Sequence, residues 1–214
     1  SSLGAKCEIT GAVVLPSELI RSDVSGKRFR MDEAVQSEKS GRKGHQSEAR
    51  RCEVSGRLLL QDEVAASGVS GRLADAGLLV KCCVTGTLAL PEELESSEFT
   101  SMLAISTEMR RSEESGRRYC SNEGLVSDHS GKHGHASEFG NCELTGKHVL
   151  LSELVECSVT GKKVLESQCL RSVISDHLAV ASECGRCEIT SSTVLVSELT
   201  KSDVSGKQFR SDQA

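Results

Sequence analysis

Tryptophan is absent from the 214 residues, and one Tyr and four Phe are the only other large aromatic side chains. Aromatic rings supply much of the buried area of an ordinary core, and a compact domain of this length needs a thick one. The composition therefore excludes a conventional globule and points to a thin core. No apolar run approaches the roughly 20 residues of a membrane-spanning helix, so no membrane partner is expected. Neither charge sign dominates: 26 basic against 31 acidic residues leave a net charge of −5. No global field draws the chain to nucleic acid. Ser1 to Lys6 lack the charged and apolar segments of a signal peptide. The ten cysteines are irregularly spaced, so reduced thiols in a cytoplasmic protein are expected rather than a disulfide framework.

What the chain does have is a fixed period. Written in lines of fifteen from residue 7, it gives fourteen repeats, starting at residues 7, 22, 37, 52, 67, 82, 97, 112, 127, 142, 157, 172, 187 and 202. Residues 1–6 are a leader, and 7–214 read as a single repeat domain whose last repeat is truncated. The first position is always Cys or Ser, the fourth always Ser or Thr, and the fifth Gly in eleven repeats. Cys accompanies Thr, and Ser accompanies Ser, in twelve of fourteen. There is no insertion anywhere. A repeat stacked between two neighbours tolerates few, because each extra residue breaks the register of its columns.

A longer period overlies the first. Phe29, Tyr119 and Phe209 stand 90 residues apart, as do Gly44-His45 and Gly134-His135. Leu88-Ala89 returns as Leu178-Ala179, and Cys7-Glu8-Ile9-Thr10 as Cys187-Glu188-Ile189-Thr190. Duplication of a six-repeat block explains this most simply. A superhelix of about six repeats per turn is the sharper alternative.

Within one repeat, positions one to three alternate, as in Cys142-Glu143-Leu144, and read as a strand. Ser/Thr-Gly-Lys/Arg then turns the chain, Gly supplying a positive φ. A second strand follows, as in His148-Val149-Leu150, closing a hairpin. Ser-Glu-Leu, as in Ser152-Glu153-Leu154, reads as one helical turn with Ser as N-cap. Pro16 and Pro91 fall just before this turn, where no amide hydrogen is needed. The inward set is positions one, three, eight and thirteen. A lone hairpin of this size is not stable in water, so the fold class is mainly β, an elongated solenoid of hairpin-plus-turn repeats. A parallel β-solenoid, on the order of 65 Å long at one strand spacing per repeat, is the alternative. Ser101, Asp176 and Ser191 replace Gly at position five, so those turns are expected to differ.

Acidic residues recur at positions two and twelve and basic ones at six and fifteen. They read as solvated ridges with cross-strand pairs of about 0.2–1 kcal/mol, or alternatively as a striped docking surface. The turn Cys-x-x-Thr-Gly-Lys resembles a zinc knuckle whose second thiolate is lost, because position four is never Cys. Metal is not favoured. The candidates are Cys157, Cys169, Cys184 and Cys187, the last two forming a lone CxxC, with His129, His133, His135 and His148 as a weaker set. Cys142 and Cys157 would be column neighbours. No cofactor is expected, and no nucleophile–base pair or phosphate loop is discernible. The histidines do not follow the repeat, whereas the serines do and are architectural.

The segments Cys142-Glu143-Leu144-Thr145-Gly146-Lys147 and Ser152-Glu153-Leu154 resemble tracts of 15-residue repeats in the C-terminal parts of large bacterial proteins, some of them helicase-like ATPases. The resemblance covers nearly the whole chain and implies an accessory segment of a larger machine. It carries over no catalytic residue. The sequence is thus read as a non-enzymatic scaffold or protein-interaction segment, a fragment whose partner is another protein or the remainder of a parent chain. The alternatives are a nucleic-acid-binding accessory segment and a metal-binding repeat. The truncated last repeat also raises end-to-end self-association.

Overall fold

The computed structural model describes residues 4–213. Among these the protein is mainly β, arranged as fourteen two-stranded antiparallel sheets. No helix among them is long and apolar enough to cross a membrane. The chain divides into two compact units, Ser1–Met109 and Arg110–Ala214.

Each hairpin straddles two sequence repeats. Leu154–Glu156 pairs with Lys163–Leu165, in the register Leu154↔Leu165, Val155↔Val164 and Glu156↔Lys163. The second strand therefore lies where the sequence placed it, at positions seven to nine. The first strand does not: it occupies positions thirteen to fifteen of the preceding repeat. Positions one to three, read above as a strand, belong instead to a turn that spans positions two to four. The alternation there has another origin, because the position-one side chain points inward to cap the turn and the position-two carboxylate reaches the next repeat. Ala5–Lys6, read as leader, supplies the first strand of the first hairpin, against Val13–Val14.

The turn is held by its own backbone. The amide of Gly146 donates to Cys142 O at 2.7 Å, and that of Cys142 to Lys147 O at 2.9 Å. Position five is left-handed throughout, with φ of 71° at Gly146. Ser101, Asp176 and Ser191 adopt the same conformation, at φ of 61°, 62° and 59°, and make the same turn bonds, Asp176 N to Ser172 O at 3.0 Å for example. The expectation of different turns at these three is corrected: hydrogen bonding overrides the steric cost that a Cβ adds in this region.

Between the strands sits one turn of 3-10 helix, such as Leu151–Glu153. Its N-cap is position nine, Leu150, and not the Ser of Ser-Glu-Leu. Pro16 and Pro91 are the first helical residues of their turns, where a missing amide costs nothing.

The core follows from stacking. Positions eight and nine are both buried, as in Leu59-Leu60, Val149-Leu150 and Val164-Leu165. Adjacent strand residues point to opposite faces, so both faces of these hairpins are covered. Position three, expected inward, is largely outside: Val54, Val69, Leu144, Val159 and Ile189 are exposed. Position nine takes its place. Successive repeats are joined in the first unit by amides of position two donating to carbonyls of position seven, Asp23 to Lys43 at 2.9 Å and Glu53 to Leu73 at 2.8 Å. The second unit repeats this, with Asp128 to His148 and Glu143 to Lys163 at 2.9 Å.

Positions eight and thirteen of one repeat trade volume, as close packing demands. Buried Tyr119 faces Gly124, where a Cβ would come within 2.5 Å of the ring. Conversely, Gly134 faces buried Phe139, and a Cβ would lie 3.2 Å from its ring. The 90-residue period is carried by such packing. Phe29 meets His45 edge-on at 5.5 Å, and Tyr119 meets His135 at 6.1 Å.

Candidate functional site

The residues that recur in every repeat converge on the N-terminus of the 3-10 turn. That terminus presents the unpaired amide of position nine, which needs an acceptor. Ser-opened and Cys-opened repeats provide it differently.

In a Ser-opened repeat the acceptor is a carboxylate. Glu153 Oε2 accepts the amide of Leu150 at 3.0 Å and the hydroxyl of Ser127, one repeat earlier, at 2.6 Å. The same pair is made by Ser22 with Glu48, Ser37 with Glu63, and Ser112 with Glu138, at 2.5 to 2.7 Å. Ser67–Glu93 and Ser172–Glu198 make the same bond. Ser127 Oγ also accepts the amides of His129 and Ser130, at 3.2 and 3.3 Å. Burial is the largest influence on the Glu48, Glu63 and Glu153 carboxyls and opposes their ionisation. The hydroxyls of positions one and four outweigh it and hold these groups below the usual carboxylate range. The Ser–Ser pairing in the sequence thus has a cause: both hydroxyls serve one carboxylate.

In a Cys-opened repeat the sulfur itself is the acceptor. Cys187 Sγ takes the amide of Thr190 at 3.4 Å, and Cys7 Sγ that of Thr10 at 3.3 Å. The position-four hydroxyl and the position-nine amide of the next repeat, Thr145 and Leu165 for Cys142, add to this. Burial raises the thiol pKa most at Cys52, Cys82, Cys142 and Cys157, yet these donors together bring it down to about 7. At Cys187 the Thr190 hydroxyl leads, and the value is again about 7. In the repeats that follow a Cys-opened one, the position-twelve residue is not always an acid. It is Leu78 after Cys52 and Gln168 after Cys142, where Gln168 Oε1 accepts from Cys142 Sγ at 3.2 Å. After Cys7 it is Glu33, which turns aside to lie 3.5 Å from His45 Nε2.

The position-two carboxylates are engaged as well. Asp23 accepts the amide of Lys43 at 2.7 Å, Asp128 that of His148 at 2.8 Å, and Glu143 that of Lys163 at 3.0 Å. Both acidic columns therefore join repeats. The reading of them as merely solvated ridges is corrected, because Asp23, Asp128, Glu143 and Glu153 each accept a backbone amide.

All ten cysteines are free thiols. Cys142 and Cys157 are buried in one core cluster, with Cys169 and Cys184 packed against it. The structure thus gathers three of the four candidate metal ligands, while Cys187 lies outside that cluster in its own turn. Among the described residues no group of three or more His, Cys, Asp or Glu side chains is placed to hold a metal ion. The histidines are dispersed. His135 Nδ1 bonds Ser137 at 2.8 Å, His148 Nδ1 bonds Asn141 at 2.6 Å while its ring stacks on Phe139 at 5.6 Å, and His133 is exposed.

What remains outward is the basic column at position six and part of position seven. Lys132, Lys147 and Lys162 at position six are exposed, as are His133 and Lys163 at position seven. A feature the sequence reading missed is a cleft floored by Tyr119 and rimmed by Arg110, Arg111 and His133. Its signal was legible: Gly124 stands alone as a glycine at position thirteen. Comparisons with protein-family models, curated proteins and solved structures return no match.

Proposed function

We propose that the protein is a non-enzymatic repeat scaffold that binds another protein, as part of a larger assembly or chain. The observation carrying this is the division of labour among side chains. The recurrent hydroxyls, carboxylates and thiols are engaged in joining one repeat to the next, while Lys132, Lys147 and Lys162 at position six and His133 and Lys163 at position seven project outward. On this reading the repeats stack continuously into an elongated, twisted solenoid, whose surface can be varied without touching its joints. Small-angle scattering tests the shape. A compact globule of this length has a radius of gyration of about 17 Å, and a clearly larger value is expected. Affinity capture tests the role. A partner should be retained by the intact chain and lost when outward side chains are replaced, with folding unchanged. A globular radius, or loss of the partner only on unfolding, refutes the reading.

A second reading, nucleic-acid binding, is favoured by one observation: Lys132-His133, Lys147-His148 and Lys162-Lys163 form basic pairs in three consecutive repeats. Against it, Asp128 and Glu143 lie at the base of the same column. Binding of a single-stranded oligonucleotide that weakens steeply with salt would support it.

A further inference from the structure

The cleft floored by Tyr119 has a counterpart 90 residues earlier. The first lies against Ile20, Met31, Ala34, Val35, Gln36 and Lys43 and encloses about 280 Å³. The second places Arg110, Ser121, Gly124, Leu125, Val126 and His133 at the equivalent positions and encloses about 560 Å³. Three exchanges enlarge and recharge it. Met31 becomes Ser121, Ala34 becomes Gly124, and Ile20 becomes Arg110. The glycine is required by the ring beneath it, since a Cβ there would come within 2.5 Å of Tyr119.

Two guanidiniums reach this cleft. At position fifteen, arginines elsewhere are tied to their own turns: Arg21 to Gly26 O at 2.7 Å, Arg51 to Gly56 O at 2.7 Å, and Arg186 to Ser191 O at 3.0 Å. Arg111 has no such bond among the described residues, and both Arg110 and Arg111 are exposed. The carboxylate in the cleft is Glu113, which already accepts the amide of His133 at 3.3 Å. The balance is thus positive, beside the exposed aliphatic side chains of Leu125 and Val126. The volume is that of a ligand site. A guanidinium matches a carboxylate, and the aliphatic wall matches a neighbouring apolar group.

We propose that this cleft binds an acidic peptide segment, with a carboxylate on Arg110 and Arg111 and an adjacent aliphatic side chain against Leu125 and Val126. The inference rests on the scaffold reading and names its partner's chemistry. Tyr119 is the only tyrosine and there is no tryptophan, so intrinsic tyrosine fluorescence reports this cleft alone. The probe is a capped Leu-Glu-Leu-Glu-Leu peptide titrated into the full chain, with a Leu-Gln-Leu-Gln-Leu peptide and a short oligothymidine as comparators. A saturable change is expected with the acidic peptide. Arg110→Gln and Arg111→Gln should each weaken it about tenfold, the size of a lost charge-assisted hydrogen bond. Glu113→Gln should tighten it severalfold, and Lys43→Gln in the smaller cleft should leave it unchanged. Far-UV circular dichroism checks that each variant is folded. Equal binding of the Gln peptide, saturation by the oligonucleotide alone, or no saturable change overturns the proposal. A partner captured through other outward residues in that event leaves the scaffold reading standing.

Discussion

Ser127 and Cys142 open consecutive repeats of the second unit and meet the same requirement with different atoms. After Ser127 the amide of Leu150 is accepted by Glu153, itself held by the Ser127 hydroxyl. After Cys142 the amide of Leu165 lies on the sulfur's side and helps to lower the thiol pKa, and Gln168 stands where the carboxylate would be. A hydroxyl is too small to reach from its own turn to the next helical turn, so it needs a carboxylate as intermediary. Sulfur is larger, and the amide of the next turn lies close enough to lower its pKa. The two repeat types are thus interchangeable in shape but not residue by residue.

The largest test of this comparison is removal of the acceptor. Glu153→Leu leaves the Leu150 amide and two serine hydroxyls without their partner and should cost roughly 2 kcal/mol in urea unfolding. Gln168→Leu, which reproduces the Cys52–Leu78 arrangement, should cost under about 0.5 kcal/mol. Equal costs would break the distinction between the two types.

Titration sharpens it next, because the two types respond in different pH windows. The Glu48, Glu63 and Glu153 carboxyls are lowered in the folded state. Their contribution is full above the ordinary carboxylate pKa of about 4.3 and is lost as pH falls through the lower folded value. The Cys52, Cys82, Cys142 and Cys157 thiols are lowered to about 7. Their contribution is full above the ordinary thiol value of about 8.5 and disappears as pH falls through 7. Urea midpoints should therefore rise between pH 6 and pH 9, and the rise should shrink in a Cys142→Ala, Cys157→Ala double variant. Thiolate absorbance near 240 nm gives an independent reading. A flat profile over that range would show that the sulfurs do not act as charged acceptors.

The smallest effect lies where the two types agree. Position five is left-handed in both, whether the repeat opens with Ser172 or Cys187. Asp176→Gly and Ser191→Gly should each stabilise the protein by about 0.5–1 kcal/mol, by removing a Cβ from an unfavourable region. A gain in one type alone, measured by thermal unfolding, would mean that the turns are not equivalent after all. Asp176 is the stricter case, because its carboxylate and carbonyl both accept from Arg171 at about 3 Å.

Much of the hairpin could be read directly. The strand His148–Leu150 and the left-handed fifth position follow from residue types that have few alternatives. The first strand was misplaced because Cys142-Glu143-Leu144 alternates like a strand. Its inward sulfur, outward carboxylate and half-exposed leucine instead serve three separate contacts in a turn. The coupling of position one to position twelve of the next repeat was equally present, 26 residues apart, as in Ser22–Glu48 and Cys142–Gln168. Nothing local marks it. A serine and a glutamate at that distance look like independent surface residues until two hairpins are stacked. The cleft at Tyr119 was harder still, since it depends on volume exchange between Tyr119 and Gly124 and on Arg111 being untied.

The sequence alone determined the repeat length, the turn chemistry and the thinness of the core, because these follow from backbone conformational preference and from the scarcity of large apolar side chains. Tertiary structure alone decided which strand pairs with which and what the acidic columns do. It also decided how a thiol comes to take the place of a carboxylate. The physical reason is that a stacked hairpin leaves its unpaired amides facing the neighbouring repeat. Their acceptors are fixed by three-dimensional reach, which no single fifteen-residue line contains.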